Sequence, residues 1–127
     1  MSPLIGVLGP EGTFSEKAAR RLSPGAEIRY FRDFEEVISA VEVGDADLGV
    51  VPLENSLEGS VGATLDSLLR HDVEIVGETN LSIRHCLLGR GGAERVRVIL
   101  THPEALAECR GYVKWGIRRQ PRATLTN

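Results

Sequence analysis

The chain contains the run Leu48-Gly49-Val50-Val51-Pro52-Leu53, which is directly followed by Glu54-Asn55-Ser56. A wholly apolar run of this length is typical of a strand that helices cover on both faces. It predicts a central strand of a parallel or mixed α/β sheet. The polar residues that follow would then lie at the carboxyl end of that strand, where open α/β sheets bind their ligands.

Strand and helix signals alternate before this run. Leu4–Leu8 is predicted to form the first strand and Glu27–Phe31 the second. Between them, Thr13-Phe14-Ser15-Glu16 has the form of a capping box and predicts the start of a helix. The apolar spacing of this helix predicts that it buries Phe14, Ala18 and Leu22.

A second helix is predicted to begin after Asp33, which is a favourable N-cap residue. Gly44 is well placed to end this helix, because glycine readily adopts the left-handed conformation common at C-caps. Four apolar residues fall on one face between these caps: Phe34, Val37, Ile38 and Val41.

The pattern changes after the apolar run. Residues 73–88 are predicted to form an extended crossing between two lobes, and residues 96–100 another buried strand. Pro103 occupies a favourable first position for a helix whose apolar residues would be Leu106, Cys109 and Val113. A third helix, before the crossing, is marked by Val61, Leu65, Leu68 and Leu69.

Length and composition narrow the class of protein. The chain has 127 residues, enough for one domain or two small lobes, and 26% of them are charged, as in ordinary globular proteins. The net charge is −3 and no block of five like charges occurs, so nucleic acid is not expected as the main partner. No apolar run approaches the ~18 residues that span a bilayer, and no signal peptide is visible. A cytoplasmic protein without a membrane partner is therefore expected.

The cysteines and histidines give no metal signal. Cys86 and Cys109 form no Cys-x-x-Cys unit, so neither a disulfide framework nor a zinc site is predicted. His71, His85 and His102 lack metal-ligand spacing. His71 is expected to end a helix, and His85 to lie in the extended crossing.

The first candidate binding segment follows the first predicted strand. Gly12, Thr13, Phe14 and Ser15 combine a glycine and two hydroxyls with a helix start, where free backbone N–H groups favour an anion. The alternative is an ordinary strand-to-helix turn in which Thr13 only caps the helix.

The second and third candidate segments follow later strands. Glu54, Asn55 and Ser56 mark an abrupt change to polar residues, and the Asn55 amide can donate and accept hydrogen bonds without changing charge. The alternative is a turn in which Asn55 and Ser56 bond their own backbone. Around Thr101 and His102, the alternative to a site is an N-cap followed by an amphipathic helix.

Together these segments resemble the N-terminal part of the prephenate dehydratase family. The resemblance is carried by three motifs in the same order and spacing: Gly9-Pro10-Glu11-Gly12-Thr13-Phe14-Ser15, Val50-Val51-Pro52-Leu53-Glu54-Asn55-Ser56-Leu57-Glu58-Gly59-Ser60, and Thr101-His102-Pro103-Glu104-Ala105-Leu106-Ala107-Glu108-Cys109-Arg110. It extends from Leu4 to about Lys114.

The resemblance implies an α/β fold of the type-II periplasmic-binding-protein-like class, with two lobes and an active site in the cleft between them. Lobe 1 would cover about residues 1–78, and an apparently incomplete lobe 2 about residues 79–127. The implied reaction is that of a lyase in phenylalanine biosynthesis, which converts prephenate to phenylpyruvate, water and carbon dioxide without a metal or organic cofactor. Because this reaction creates an aromatic ring, the enzyme mainly has to orient the dianion and assist departure of the hydroxyl group.

The resemblance also implies roles for individual residues. Asn55 matches the active-site asparagine of the family, and Thr101 lies where a serine is usual. Glu108 lies where a glutamine is usual, and its carboxylate would repel a dianion unless protonated or turned away. The remaining candidates are expected to bind substrate: Gly12, Thr13, Phe14, Ser15, Glu54, Ser56 and His102.

Two further family features, a Thr-Arg-Phe motif and a regulatory ACT domain, do not occur in these residues, and Arg122-Ala123-Thr124-Leu125-Thr126 is no substitute for the motif. A truncated catalytic domain with little activity by itself is therefore expected. Exposed apolar surface on an incomplete lobe would favour a homo-oligomer. Two alternatives remain open: arogenate as the substrate, and a non-catalytic module that binds a small carboxylate.

Overall fold

The computed structural model describes residues 2–55 and 59–116, with side chains described for residues 2–55 and 61–113. The chain divides into two compact units between Leu81 and Ser82. Residues 73–88, predicted as an extended crossing, form neither helix nor strand, and the division falls within them.

The first unit is built on a three-stranded parallel sheet. Its strands are β1 (Leu4–Leu8), β2 (Glu27–Phe31) and β3 (Leu48–Val50), in the order β2-β1-β3. The first two strands confirm the prediction, whereas the central position predicted for the third strand is wrong because β1 lies in the middle. β3 is also shorter than the apolar run, and Pro52, just beyond it, has no N–H group to donate to a sheet.

The caps of the first two helices confirm the sequence signals. Helix α1 covers Phe14–Leu22, and the Thr13 hydroxyl accepts a hydrogen bond from the Glu16 N–H at 3.3 Å. Helix α2 covers Phe34–Val43, and the Asp33 carboxylate accepts from the Glu36 N–H at 2.8 Å. Gly44 ends α2 with φ of 86°, the left-handed conformation that glycine adopts without strain.

The buried face of α1 confirms the prediction at Ala18 and differs from it at the two ends of the helix. Ala18 and Ala19 are buried, and Ala19 packs with Ile5 of β1. Phe14 and Leu22 are half-exposed, because they lie in the first and last turns while small side chains in the middle turns make the contact with the sheet. In α2 the predicted face is confirmed at its centre, where Val37 and Ile38 are buried.

A two-stranded antiparallel hairpin follows β3. It consists of β4 (Glu54–Asn55) and β5 (Gly59–Ser60), with Asn55 opposite Gly59. The Val61 N–H donates to the Leu53 carbonyl at 2.8 Å and closes the base of the hairpin.

Helix α3 (Gly62–Arg70) buries a face that differs in part from the one predicted. Thr64 and Ser67 are buried, whereas Leu69 is 87% exposed and Leu65 is also exposed. α3 packs beside α2, and the ion pair between Arg70 and Glu35 joins the two helices. Small polar side chains make this contact together with the half-buried Leu68, so the prediction is wrong at Leu65 and Leu69 only. His71 ends α3, as predicted.

The second unit is helical in the part that the structure describes. A short 3-10 helix (Ala93–Arg95) precedes α4 (Pro103–Glu108) and α5 (Arg110–Gly116), and Pro103 starts α4 as predicted. Its small core joins the buried Ile99 and Val113 to three partly buried residues: Val96, Leu106 and Cys109.

The strand predicted at residues 96–100 is wrong. Val98 and Leu100 are exposed, and only Ile99 is buried. A strand needs a neighbour to pair its backbone N–H and C=O groups, and residues 82–116 contain no strand that could serve as one. No helix within the described ranges is long and apolar enough to span a bilayer.

Candidate functional site

The loop after β1 leads from the central strand into α1. Gly12 has φ of 94°, a conformation that favours glycine. The Thr13 hydroxyl donates to the Leu8 carbonyl at 3.0 Å while it accepts from the Glu16 N–H, so its proton is committed to the backbone. Thr13 therefore acts as a helix cap here, and its hydroxyl retains only acceptor capacity for a ligand.

Glu16 fixes the conformation of this loop through hydrogen bonds and was not among the site residues predicted from the sequence. It is 8% exposed. Its carboxylate accepts from the Gly12 N–H at 3.0 Å, the Tyr30 hydroxyl at 2.7 Å and the Arg20 Nε at 2.9 Å. The available signal was the capping box, whose acidic residue reaches back towards the N-cap. The Gly12 N–H, a predicted anion donor, is thus occupied by an internal carboxylate.

These donors change the acidity of the carboxyl. The Gly12 N–H, followed by the Tyr30 hydroxyl and the Arg20 side chain, lowers the pKa of Glu16 from 4.5 to about 2, although burial opposes the shift. The same interaction raises the pKa of Tyr30, because its hydroxyl proton is held by the carboxylate. Glu16 is therefore ionised in the folded chain at neutral pH.

Replacing Glu16 with glutamine is expected to change how stability depends on pH. The low pKa of Glu16 means that its ionised form favours folding above the ordinary carboxyl pKa of 4.5, and that this contribution is lost as the pH falls towards about 2. The difference in Tm between wild type and Glu16→Gln should therefore be largest near neutral pH and shrink on acidification. Thermal unfolding followed by circular dichroism across this range measures it.

Tyr30→Phe serves as a matched variant within the same network. It removes one of the three donors to Glu16 and leaves the carboxylate in place. Its pH dependence should lie between those of wild type and Glu16→Gln. A Tm difference for Glu16→Gln that stays constant from neutral to acidic pH would contradict the assignment.

The remaining candidates of this loop lie at the start of α1. Phe14 is half-exposed and Ser15 is half-buried. As the first two residues of a nine-residue helix, they lie where backbone N–H groups favour negative charge.

The strand order brings the segment that contains Asn55 to the same edge of the sheet as the loop after β1. β1 and β3 are neighbouring parallel strands, so the loop that follows β1 and the segment that follows β3 leave the same edge of the sheet. Within that segment Asn55 is half-buried and Glu54 is exposed. Ser56 lies outside the described residues. The sheet thus brings the first and second candidate segments to one edge, as strand order requires for a ligand site.

The third candidate segment belongs to the second unit and is grouped around α4. His102 is the N-cap, since its Nδ1 accepts from the Glu104 N–H at 3.2 Å. The Thr101 hydroxyl donates to the His102 carbonyl at 3.3 Å. The alternative of a helix cap is therefore realised, with His102 as the capping residue.

Glu108 ends α4 and contacts a residue that sequence reasoning did not connect with it. His85 Nε2 lies 2.5 Å from Glu108 Oε2. The two residues are separated by 23 positions and no local pattern links them. Across residues 2–55 and 59–116, no group of three or more histidine, cysteine or acidic residues is arranged to hold a metal ion.

Comparison with known proteins assigns the chain to a family of enzymes. The model of the family described as prephenate dehydratase matches residues 5–124, and the chain belongs to this family. It is 43% identical over 115 residues to arogenate dehydratase/prephenate dehydratase 2 of Arabidopsis thaliana, a match that covers 88% of this chain and 30% of that protein. The chain thus spans about a third of the length of this relative.

Two solved structures resemble the chain. A prephenate dehydratase from Arthrobacter aurescens in complex with L-Phe has a TM-score of 0.67 and 29% identity, over 95% of this chain and 42% of that chain. A protein described as GqqA, a novel type of quorum quenching acylase, has a TM-score of 0.75 and 34% identity, over 95% of this chain and 44% of that chain. The prephenate dehydratases among these relatives have a periplasmic-binding-protein-like fold, which agrees with the α/β class predicted here.

Proposed function

We propose that this chain supplies the N-terminal part of the active site of a prephenate dehydratase. The observation that carries the proposal is the position of Asn55 in this member of the family: it lies on the β4–β5 hairpin, in the segment that leaves the same sheet edge as the loop after β1. The substrate would be prephenate, and the products phenylpyruvate, water and carbon dioxide.

The proposed chemistry needs hydrogen bonding and orientation more than strong acids or bases. The bond to the ring carboxylate breaks and releases carbon dioxide, its electron pair enters the ring as the aromatic system forms, and the hydroxyl group leaves with its bonding pair and takes a proton from the solvent to become water. The Asn55 amide can donate to the departing hydroxyl or to a carboxylate without adding charge. Phe14 and Ser15, at the N-terminus of α1, would help to hold the anionic substrate.

The other candidate residues have proposed supporting roles. Thr101, just before the N-cap of α4, would orient the substrate through its hydroxyl, and Glu108, at the end of α4, would act in the same part of the site. Residues proposed to shape or bind within the site are Gly12, Thr13, Glu54, Ser56 and His102. The cytoplasmic location, the homo-oligomer and the lobe boundaries near residue 78 stay predictions.

Arogenate is the second candidate substrate, because the Arabidopsis relative is named for both activities. Arogenate carries an ammonium group where prephenate carries a ketone, so it is one unit less negative. A non-catalytic module that binds a small carboxylate is the remaining alternative. A comparison of turnover and binding for both compounds separates these three functions.

Activity is expected to depend on segments that the relatives carry beyond the matched region. The chain covers 30% of the Arabidopsis relative. We therefore expect little or no phenylpyruvate from the purified chain, and clear formation from a chimera in which the chain is followed by the part of that relative beyond the matched region. Spectrophotometric detection of phenylpyruvate measures both.

The control for this experiment is the Arabidopsis portion expressed without the present chain, which should be inactive. A folded chimera that binds prephenate without turning it over would favour the non-catalytic module. Phenylpyruvate formation by the 127-residue chain alone, at the rate of the full-length relative, would contradict the expected dependence on further segments.

A further inference from the structure

We propose that His85 is a positioning residue that masks the carboxylate of Glu108, so that a dianionic substrate can bind beside α4. This inference rests on the proposed function, since it concerns the charge that prephenate meets in the same site. It adds to that site a residue that neither the motif pattern nor the helix spacing indicates.

The geometry of the pair supports a specific interaction. His85 Nε2 and Glu108 Oε2 are 2.5 Å apart, and the two side chains are 28% and 29% exposed. With the ring N–H directed at the carboxylate, one Glu108 oxygen is occupied and the carboxylate is fixed in direction. Both residues lie at the surface, so the short hydrogen bond rather than burial is what fixes the carboxylate.

The charge of the pair explains why His85 matters for binding. A carboxylate within a few ångströms of a dianion repels it, and this repulsion grows as water is excluded from the site. A protonated imidazole on the same carboxylate makes the pair neutral, and a neutral imidazole still withdraws one oxygen by hydrogen bonding. Glu108 ends α4, and Thr101 lies just before the N-cap of the same helix, so the proposed substrate-orienting hydroxyl and the charge that must be masked flank one short helix.

Masking also bears on the choice between substrates. An unmasked carboxylate attracts an ammonium group, which arogenate has and prephenate lacks. Removal of His85 should therefore weaken the binding of prephenate and weaken that of arogenate less. The pair would in this way favour the keto acid over the amino acid.

The test is a calorimetric titration of the 127-residue chain with prephenate and with arogenate. His85→Gln is expected to weaken prephenate binding about tenfold. Glu108→Gln removes the charge that needs masking, so the double variant His85→Gln/Glu108→Gln should regain the affinity of Glu108→Gln alone. A residue with a purely structural role would not be rescued in this way.

Two controls separate the outcomes. His71→Gln makes the same change at a histidine that contacts Glu35 and Glu42 in the first unit, and it should leave prephenate affinity unchanged. Thermal unfolding shows whether each variant folds. If His85→Gln does not fold, Glu108→Gln alone tests the masking role, because it should bind prephenate at least as tightly as the wild type.

Prephenate binding by the wild type distinguishes an error in the role of His85 from an error in the proposed function. If the wild type binds prephenate and His85→Gln binds equally well, or if Glu108→Gln does not restore affinity, the masking role is overturned while the proposed function stands. If the wild type binds neither compound, the masking role is overturned, and the proposed function fails with it only if the folded chimera also neither binds nor converts prephenate.

Discussion

Replacing Asn55 with alanine in the chimera is expected to lower kcat/KM for prephenate about 10²–10³-fold, the usual effect of removing one donor that stabilises developing negative charge. Asn55 is half-buried in β4, directly after the strand next to β1. Its amide is a neutral group that can both donate to a leaving hydroxyl and accept from it. The loss should fall mainly on kcat, because the hydrogen bond strengthens as the hydroxyl leaves.

Asn80→Ala is the matched control. It deletes the same amide at an exposed position, where the hydrogen bond that Asn80 accepts from Arg21, at 3.1 Å, goes to its backbone carbonyl and is kept in the variant. Asn80→Ala should therefore retain wild-type kinetics. Asn55→Ala with unchanged kcat and KM, in a chimera whose Tm is also unchanged, would remove Asn55 from the catalytic machinery and with it the main support for the proposed function.

Replacing Ile5 with alanine is expected to lower the free energy of unfolding by about 2–5 kcal/mol. Ile5 is 1% exposed in the central strand and packs against Val7, Ala19 and Ala26. Truncation leaves a cavity between β1 and α1 that the rigid sheet cannot fill. Since small domains are stable by only about 5–15 kcal/mol, a loss of this size is a large fraction of the total. Chemical denaturation followed by circular dichroism measures it.

Ile75→Ala provides the comparison within the same unit. Ile75 is 69% exposed, so the identical change should alter the free energy of unfolding by less than about 0.5 kcal/mol. Equal losses for the two variants would mean that β1 is not the centre of the core.

The sequence predicts the local structure of the first unit well, because that structure depends on local signals. Thr13, Asp33 and Gly44 cap their helices as expected, since each cap requires a particular side chain or backbone conformation at one position. The order of the strands depends on tertiary pairing. The apolar run at Leu48 therefore indicated a strand, but neither that this strand is only partly buried nor that β1 lies in the middle of the sheet.

Helix faces and unpaired strands were harder to predict, for a physical reason. Apolar spacing assigned Leu65 and Leu69 to the interior, but the neighbour of α3 is another helix that accommodates Thr64 and Ser67. A strand similarly needs a partner, and residues 96–100 have none within the described part of the second unit. In both cases the outcome depends on what lies opposite, which the local pattern does not contain.

Motif residues of the candidate site could be predicted, whereas their supporting contacts could not. Asn55, Thr101 and Glu108 stand in motifs that can be read directly. Glu16 carried a local signal for helix capping, but its contact with Tyr30 joins residues that are 14 positions apart. The contact between His85 and Glu108 spans 23 positions and required the structure.

The carboxylate of Glu16 orders the loop after β1 before any ligand binds. Because an internal anion already holds the Gly12 N–H, the turn before α1 keeps its shape whether or not a substrate is present. A loop that is ordered in advance loses little conformational freedom when a ligand arrives, so more of the interaction energy remains available for affinity. The same loop should look alike in free and ligand-bound forms of the protein.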